Sequence, residues 1–314
     1  MGEPASGVPA GSRLAILLAT RNGARYIDEQ LRSLAELDWP AIDVHVSDDG
    51  STDATLDHLA SWRERWTRGA FAVSQGPRAG FSENFRSLLC DDAIEADYVA
   101  FCDQDDVWLP DKMRVAAGTI GHLRGPALFC STTTLIDQDG RVVGHSPMFR
   151  RPPGFRNALV QSLAGGNTMV LNRAALRLLR EGARRTGFVS HDWFAYQLVT
   201  GAGGTVCYSL RPLVRYRQHG GNVVGSNTGW GARLERLRLV WRGRFADWND
   251  QNVRALDRCR DLLTPSAQAA LDGFKAARAG APHRRLYGIY TTRLYRQTIS
   301  GQFSLYVAAA LAKL

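Results

Sequence analysis

The sequence predicts an α/β protein with a doubly wound, mostly parallel sheet, followed by a basic helical C-terminal segment. Short apolar runs such as LAILLA (14–19) and YVAFC (98–102) are typical of strands that are buried on both faces. Stretches with apolar residues at helical spacing separate these runs, and strands that alternate with helices form parallel sheets covered on both sides. The C-terminal segment is indicated by an excess of positive charge in the last quarter of the chain.

The elements of the first hundred residues follow in a regular order. LAILLA is the first strand, an amphipathic helix follows it, and DVHVSDDG is the second strand. Ser51 and Thr52 then precede a second helix as turn or cap residues. FAVS (71–74), GFSENFRSLLCDDAI and YVAFC predict a third strand, a third helix and a fourth strand. We interpret this region as one nucleotide-binding unit.

The remainder of the chain is less regular. ALFCSTTTLID, RVVG and NTMVLN (167–172) predict strands, a helix follows from Arg173 to about Arg185, and HDWFAYQLV predicts another helix. GTVCYSLRPLVRYRQHG reads as extended chain, and arginine-rich helices begin near Thr228. We therefore expect a disordered tail without signal-peptide features (1–12), an α/β domain (13–227) with halves 13–106 and 107–227, and a basic helical region (228–314).

Charge and composition narrow the possible functions. Residues 226–314 contain 15 Lys and Arg against 6 Asp and Glu, which accounts for the whole net charge of +9 and suggests an anionic partner there. The five cysteines form no CxxC pair, which indicates reduced thiols. A GxxxxGK[ST] loop is absent, and ATRNGARY replaces a GxGxxG after the first strand. These absences exclude a P-loop NTPase and disfavour a dinucleotide-binding oxidoreductase.

Two acidic clusters follow predicted strands. Asp48 and Asp49 come after the second strand, and Asp103, Asp105 and Asp106 come after the fourth. Ligands of open parallel sheets bind at the carboxyl ends of the strands, so both clusters can face one crevice. In extended chain Asp103 and Asp105 point to the same side, which suits Mg²⁺ or Mn²⁺ bound to a substrate diphosphate. The alternatives are a solvated acidic loop for the second cluster and an Asx-type turn for SDDGSTD.

These segments together resemble the inverting glycosyltransferases of family 2, which have the GT-A fold. The matching segments are LLATRNGARYIDEQLRSL, VSDDGSTDAT, FCDQDDVWLPDKM, GGNTMVLNR, HDWFAY and YRQHGGNVVG, which span about residues 13–225. FCDQDDVW with HDW and YRQH is most similar to the bacterial rhamnosyltransferase-like branch that builds surface polysaccharides. The resemblance makes residues 13–106 the nucleotide-binding half and residues 107–227 the acceptor half.

The resemblance implies a role for each matching site residue. The residues expected around the nucleotide are Thr20, Asn22, Asp48, Asp49 and Asp103. The residues expected at the metal are Asp103, Asp105 and His219. Relatives often have an arginine in the third helix that contacts the nucleotide, whereas GFSENF has none at that place. We therefore expect Arg78 to replace it, with absence of this contact as the alternative. For His219, a polar turn residue before Gly220 is the structural alternative.

Asp192 in HDW stands where the family has its catalytic base. Inversion requires a base opposite the leaving group that takes the proton of the acceptor hydroxyl, and a carboxylate can do this. The alternative is that Asp192 is a helix N-cap, where Asp is a preferred residue. Trp108 and Trp193 are candidates for a sugar-stacking wall at the acceptor, with core packing as the equal alternative.

The expected enzyme transfers a sugar from a nucleoside diphosphate donor, dTDP-rhamnose or a UDP-sugar, to a glycan or polyprenyl-linked acceptor. A nucleotidyltransferase and a non-catalytic basic binding protein on a degenerate fold are the competing classes. In GWGARLERLRLVWRGRFADW, tryptophans and leucines at helical spacing alternate with arginines, as in helices that lie in a membrane interface. We therefore expect residues 228–314 to hold the protein at the inner face of the bacterial cytoplasmic membrane, with no nucleic-acid partner. Packing on the α/β domain is the alternative for this segment.

Overall fold

The computed structural model describes residues 11–219 and 244–314. Its larger sheet has seven strands in the spatial order β10-β6-β9-β4-β1-β2-β3. The strands of this sheet are β1 (Arg13–Thr20), β2 (Ala41–Asp48), β3 (Phe71–Gln75), β4 (Tyr98–Cys102), β6 (Ala127–Ser131), β9 (Val170–Asn172) and β10 (Thr205–Ser209). All neighbouring pairs are parallel except the two that β9 makes with β4 and β6.

A second, smaller sheet has the order β5-β11-β7-β8. Its strands are β5 (Val107–Trp108), β7 (Thr134–Ile136), β8 (Val142–His145) and β11 (Val214–Arg217). β11 pairs in antiparallel with β5, which directly follows the second acidic cluster. This pairing brings the end of the YRQH segment next to Asp105 and Asp106, more than a hundred residues away in sequence.

Helices cover both faces of the larger sheet. They are α1 (Ile27–Ala35), α2 (Thr55–Arg65), α3 (Phe81–Cys90), α4 (Lys112–Ile120), α5 (Phe155–Ala158), α6 (Arg173–Arg185), α7 (His191–Gly201), α8 (Arg244–Arg258), α9 (Pro265–Arg278), α10 (Pro282–Thr291) and α11 (Ile299–Ala310). Short 3₁₀ turns occupy Gly166–Thr168 and Arg260–Leu262. The predicted strand NTMVLN is therefore shorter than expected, because its first residues form a turn in which the Thr168 N–H donates to the Gly165 carbonyl.

The apolar runs of the strands explain why the sheet has a core on each side. Along β1, Leu14, Ile16 and Leu18 pack with α1 and α2 on one face, whereas Ala15 and Leu17 pack on the other face. Successive side chains of a strand point to opposite faces, so a continuous apolar run serves both cores. The predicted α/β class with a mostly parallel sheet is confirmed.

The C-terminal helices share the core on the second face. Leu256, Leu271, Phe274 and Leu305 belong to the same buried cluster as Leu17 of β1. The described part of the basic region, from residue 244, therefore packs on the α/β domain. Most of the predicted amphipathic segment (230–243) lies outside the described residues. Within the described ranges, no helix has the length and hydropathy that a bilayer span requires.

Candidate functional site

The loops after β1, β2 and β4 meet at one edge of the sheet. β1 pairs in parallel with both β2 and β4, so the three carboxyl ends lie side by side. Both acidic clusters are therefore at this edge, as the sequence predicted. Their carboxylates nevertheless have very different surroundings.

The carboxylate of Asp48 is fully occupied within the loop that follows β2. Its Oδ1 accepts hydrogen bonds from the N–H groups of Gly50 and Ser51, at 3.1 and 2.8 Å. Its Oδ2 accepts from the hydroxyls of Ser51 and Thr20, at 2.6 and 2.8 Å. These bonds form the Asx-type turn that was the alternative interpretation. A contact from this carboxylate to a nucleotide base stays a prediction, and it requires the exchange of one of these bonds.

Asn22 and Asp49 extend the same network. The Asn22 side chain accepts from the Thr52 N–H at 2.8 Å, which ties the loop after β1 to the loop after β2. Asp49 accepts from the N–H groups of Arg78 and Gly80, at 2.6 and 2.8 Å. Thr20, Asp48 and Asp49 are all buried. The predicted nucleotide residues of this half therefore form a rigid, hydrogen-bonded frame.

Arg78 lies at the rim of this frame. Its backbone has a φ of 58°, in the left-handed region that non-glycine residues rarely adopt, and the Asp49 carboxylate binds its N–H. A Cβ added at Gly50 would lie 3.1 Å from Nε of Arg78, so the exposed guanidinium side chain runs close over the Asp48 turn. This position is compatible with the expected nucleotide contact, which remains a prediction.

Asp103 is the opposite case to Asp48. Its carboxylate accepts no hydrogen bond from the residues that the structure describes. Burial, followed by the negative charges of Asp105 and Asp192, raises the pKa of Asp103 to about 7. The influence of Asp192 shows that the predicted base and the predicted metal ligands share one electrostatic environment.

Asp105 and His219 form a direct pair. His219 Nε2 lies 2.7 Å from Oδ2 of Asp105, and both side chains are about one-fifth exposed. The imidazole also stacks on the Tyr26 ring, with centroids 5.2 Å apart. The structure thus brings together two residues predicted at the metal, although they are 114 positions apart in sequence.

Asp106 points away from Asp103 and Asp105 and is completely buried. Its two oxygens accept from the side chain of Asn167 at 2.5 Å and from the backbone N–H of Arg217 at 3.0 Å. The neighbouring Lys112 ammonium donates to the Asn167 carbonyl at 2.6 Å and lies over the Trp108 ring. Burial lowers the pKa of Lys112 well below its usual value. These groups form the floor beneath the second cluster.

Arg217 connects this floor to the site. Its side chain is buried, and Nε donates to the backbone carbonyl of Asp105 at 2.9 Å. A second nitrogen binds the Glu29 carboxylate at 2.5 Å, and a third reaches the carbonyls of Asp137 and Gln138. The guanidinium also lies over the ring of Tyr26, on which His219 stacks. Arg217 therefore fixes both the backbone of Asp105 and the surroundings of His219.

Asp192 lies in the first turn of α7, and its Oδ1 accepts from the Trp193 N–H at 2.7 Å. Ser190 occupies the N-cap position. The N-cap interpretation of Asp192 is therefore wrong by two residues. Asp192 therefore lies at the end of α7 where a negative charge and the helix dipole are complementary.

His191, next to the predicted base, is buried among aromatic rings. Its imidazole centroid lies 3.7 Å from that of Phe85 and 4.7 Å from that of Phe101. Neither ring nitrogen has a hydrogen-bond partner among the residues that the structure describes, and burial lowers the pKa of His191 to about 4. The neutral imidazole joins the start of α7 to the end of β4. Its contact there is Phe101, which precedes Asp103 by two positions. A Cβ at Gly166 would overlap this ring, which explains the glycine there.

The expectation that Trp108 and Trp193 form a sugar-stacking wall is wrong for this structure. Trp108 is 2% exposed and Trp193 is 5% exposed. The Trp193 indole donates to the Ala158 carbonyl at 2.6 Å and stacks on Phe245 of α8. Both side chains belong to the core, because the small sheet and α8 cover them. Core packing was the alternative interpretation at both positions.

The residues of the second cluster are suitable for a divalent metal that a substrate completes. Among the side chains of the described ranges, no three of His, Cys, Asp or Glu converge closely enough to hold a metal alone. The Asp103 carboxyl, however, is partly buried, has no hydrogen-bond partner among the described residues and is repelled by its neighbours, and a cation would relieve this repulsion. Mg²⁺ is commonly bound by one or two carboxylates, with water and substrate phosphates as the other ligands. Asp103 and Asp105 meet that requirement.

Several residues of this site escaped the sequence analysis. Arg217, Glu29, Tyr26 and Asn167 support the Asp105–His219 pair only through long-range contacts. One signal was available: Arg217 precedes His219 by two positions in a predicted extended segment, so both side chains point the same way. An arginine in phase with a metal-ligand candidate could have indicated a supporting role.

Comparison with known proteins gives consistent matches. Residues 15–178 match the family described as glycosyl transferase family 2. A dTDP-rhamnosyl transferase of Shigella flexneri, RfbG, is 27% identical over 242 residues, which cover 71% of this chain and 78% of that protein.

Two solved structures share the fold over nearly the whole chain. TarS of Staphylococcus aureus, crystallised with UDP-GlcNAc, aligns with a TM-score of 0.54 and 18% identity, covering 96% of this chain and 91% of that one. A mannosyltransferase of Pyrobaculum calidifontis, PcManGT, crystallised with GDP-Man and Mn²⁺, aligns with a TM-score of 0.50 and 20% identity, covering 96% and 87%. These likenesses confirm the predicted GT-A fold.

Proposed function

Because the chain belongs to glycosyl transferase family 2, we propose that it transfers rhamnose from dTDP-rhamnose to a glycan or lipid-linked acceptor, with inversion and with the help of a divalent metal. Family membership makes the protein a glycosyltransferase, and it argues against the competing hypotheses of a nucleotidyltransferase and a non-catalytic binding protein. The donor is proposed from the similarity to RfbG, and a UDP-sugar is the alternative donor.

The observation that best supports this proposal is the electrostatic interaction of Asp103 with Asp105 and Asp192. The first two residues are candidates for the metal and the third for the base, and the charges of Asp105 and Asp192 both raise the pKa of Asp103. Inverting transfer needs a base on one side of the anomeric carbon and a stabilised diphosphate on the other. One crevice with both kinds of group is suited to that reaction.

In the proposed reaction Asp192 accepts the proton of the acceptor hydroxyl as that oxygen attacks the anomeric carbon. The bond from this carbon to the diphosphate breaks, and the nucleoside diphosphate leaves with the electron pair. The Trp193 N–H holds Oδ1 of Asp192, so the other oxygen is available for the proton. His191 packs against Phe101 and so holds the start of α7, which contains Asp192, against β4.

Mg²⁺ or Mn²⁺ would be held by Asp103, Asp105 and His219 together with the donor phosphates. When bound, the metal would stabilise the negative charge that develops on the diphosphate. Nε2 of His219 can contribute only if its hydrogen bond to Asp105 opens, since the two side chains now bind each other through this atom. Arg217 would keep the Asp105 backbone in place during this change.

The nucleoside is proposed to bind at the frame formed by Thr20, Asn22, Asp48 and Asp49, with Arg78 at its rim. The frame is rigid because each carboxylate is fully hydrogen-bonded, so little conformational freedom would be lost on binding. The acceptor is proposed to approach Asp192 from the side of residues 107–219.

We also propose a role in bacterial surface polysaccharide synthesis at the inner face of the cytoplasmic membrane, with residues 228–314 as the membrane-binding region. The charge excess of this region supports that location, because each Lys or Arg near an anionic membrane contributes about 1 kcal/mol.

A panel of sugar nucleotides tests the proposed donor and metal. The thermal midpoint of the protein would be measured with dTDP-rhamnose, UDP-sugars and GDP-mannose, each with and without Mn²⁺. A ligand that binds only the folded protein raises this midpoint, so dTDP-rhamnose with Mn²⁺ should give the largest rise. A larger rise with a UDP-sugar would identify that sugar nucleotide as the donor instead. Equal rises with and without Mn²⁺ would contradict the proposed metal dependence. Mn²⁺-dependent release of dTDP from the donor would then confirm the chemistry.

A further inference from the structure

Helix α11 presents a continuous apolar stripe to solvent. Ile299, Phe303, Val307 and Leu311 follow one another at four-residue steps and are 93%, 71%, 41% and 54% exposed. The opposite side of the helix has Leu305, Ala308 and Ala309 in the core. A helix that buries one apolar face and exposes another is expected to bind something on the exposed face.

Two tyrosines of α10 extend this surface. Tyr287 and Tyr290 are 69% and 73% exposed. Tyr290 lines a groove that shares Arg151, Gln302 and Tyr306 with a neighbouring groove lined by Ile299 and Phe303. The tyrosines and the α11 stripe therefore belong to one surface, which we call the α10–α11 face. Tyrosine is enriched where a protein meets the interface between lipid and water.

The chain segment that forms the α10–α11 face has charged side chains of one sign only. No Asp or Glu occurs after Asp272, whereas five Lys and Arg lie between residue 282 and the end of the chain. Arg284 and Arg293 are exposed, and Arg293 lines one of the grooves together with Arg151. Exposed apolar residues on a segment whose charged side chains are all cations are complementary to an anionic lipid surface.

A chain of contacts connects this face to the helix of the proposed base. The segment between α10 and α11 binds residues 157–161: Tyr295 O accepts from Asn157, and Arg296 Nε donates to Val160 O. The Trp193 indole, next to Asp192, donates to Ala158 in the same segment. The α10–α11 face is thus attached to the acceptor half of the enzyme.

We propose that the α10–α11 face lies in the interface of an anionic membrane, with Ile299 and Phe303 inserted among the lipids. The inference deepens the proposed membrane location and rests on it for its biological purpose, which is to hold the enzyme near a lipid-linked acceptor. It assigns the contact to described residues rather than to the arginine-rich segment around residues 230–243.

Vesicle flotation with a matched pair of variants tests the assignment. The test variant is Ile299→Ser with Phe303→Ser, and the control is Val142→Ser with Val143→Ser, which removes two exposed apolar side chains from β8. The vesicles contain equal parts of phosphatidylglycerol and phosphatidylcholine, or phosphatidylcholine alone. All four positions are exposed, so we expect both variants to fold, and Mn²⁺-dependent binding of dTDP verifies this.

We expect wild type and control to float with the anionic vesicles, less at high salt, and only weakly with neutral vesicles. The test variant should bind the anionic vesicles at least about tenfold more weakly, because tenfold is only 1.4 kcal/mol and burial of either side chain contributes about that much or more. Equal binding by the test variant and wild type would overturn the assignment, as would the absence of wild-type binding. A wild-type dimer that the test variant converts to monomers, without vesicle binding, would identify the face as a contact between copies.

These results are separable from the donor and metal proposal. Vesicle binding does not depend on the nucleotide, and the α10–α11 face contains none of the residues proposed to bind it. Flotation without dTDP binding would contradict the proposed donor alone. Binding of dTDP without flotation would contradict the membrane contact alone.

Discussion

The two acidic clusters at the sheet edge have similar sequences and opposite environments. In the first, every carboxylate oxygen of Asp48 and Asp49 accepts a hydrogen bond from the surrounding loops. In the second, the partly buried Asp103 carboxylate has no hydrogen-bond partner in the described chain, and its pKa is raised to about 7. The first cluster stabilises a loop, whereas the second holds like charges together at an energetic cost.

This difference indicates where ligand chemistry occurs. A buried carboxylate without partners costs stability, and such groups are retained mainly at functional sites. The hydrogen bonds of a carboxylate, and not its place in a sequence motif, therefore distinguish the frame of this site from its reactive centre. Substitutions in the two clusters should accordingly have different consequences.

The largest effect is expected for Asp192→Asn. The amide cannot accept the proton of the acceptor hydroxyl, and general acid–base catalysis typically contributes about 10²–10⁴-fold. The turnover number should fall by that factor, while the affinity for dTDP with Mn²⁺, measured by calorimetry, stays the same. The exchange is nearly isosteric and retains an oxygen that can accept from the Trp193 N–H. Turnover close to that of wild type would exclude Asp192 as the base.

Acid should lower the stability of the folded protein because it protonates His191, which lies next to the predicted base. The pKa of His191 is about 4 in the folded protein and about 6.5 when unfolded, so between these values the unfolded chain binds an extra proton. Stability from the neutral imidazole is complete above pH 6.5 and decreases as the pH falls towards 4, by about 3 kcal/mol in all.

Comparison with His191→Phe isolates this contribution. The phenyl ring has no titrating proton and can occupy the same aromatic pocket, so the difference in unfolding free energy between variant and wild type should shift by about 3 kcal/mol in favour of the variant from pH 7 to 4. Urea unfolding at several pH values measures it. Parallel curves for the two proteins would mean that His191 is not a buried neutral group.

A smaller effect is expected for Arg217→Lys. Lysine keeps the positive charge but cannot bind the Asp105 carbonyl, Glu29 and two further carbonyls together. Residues that orient metal ligands typically change metal affinity by about 10–100-fold, so Mn²⁺ affinity in the presence of dTDP should fall within that range.

The control for this variant is Arg180→Lys. Arg180 likewise binds three backbone carbonyls, those of Leu89, Asp91 and Ile94, but its contacts lie near the amino end of β4. It should affect stability without affecting Mn²⁺ affinity. Similar losses of Mn²⁺ affinity in the two variants would show that Arg217 acts through general stability and not by positioning Asp105.

The sequence predicted those features that local pattern determines. The alternation of strands and helices and the placement of acidic residues at strand ends follow from short-range periodicity, and the structure contains both. The sequence could not predict that Asp48 and Asp103 have different environments, because this difference depends on hydrogen-bond partners from other loops. The same holds for Arg217, which meets Asp105 across 112 residues. The sequence could not decide whether Trp108 and Trp193 are exposed or buried, because their burial depends on distant strands and on α8, which cover them.

The central claim, that the second cluster and not the first binds the metal, is tested most directly by one calorimetric titration. dTDP is titrated into wild type, Asp105→Asn and Asp48→Asn, each with and without Mn²⁺. We predict that Mn²⁺ strengthens dTDP binding to wild type and to Asp48→Asn, although the latter should be less stable by about 1–3 kcal/mol because the amide nitrogen cannot accept its hydrogen bonds. Asp105→Asn should bind dTDP equally with and without Mn²⁺. Retention of the Mn²⁺ effect in Asp105→Asn, or its loss in Asp48→Asn, would contradict the account.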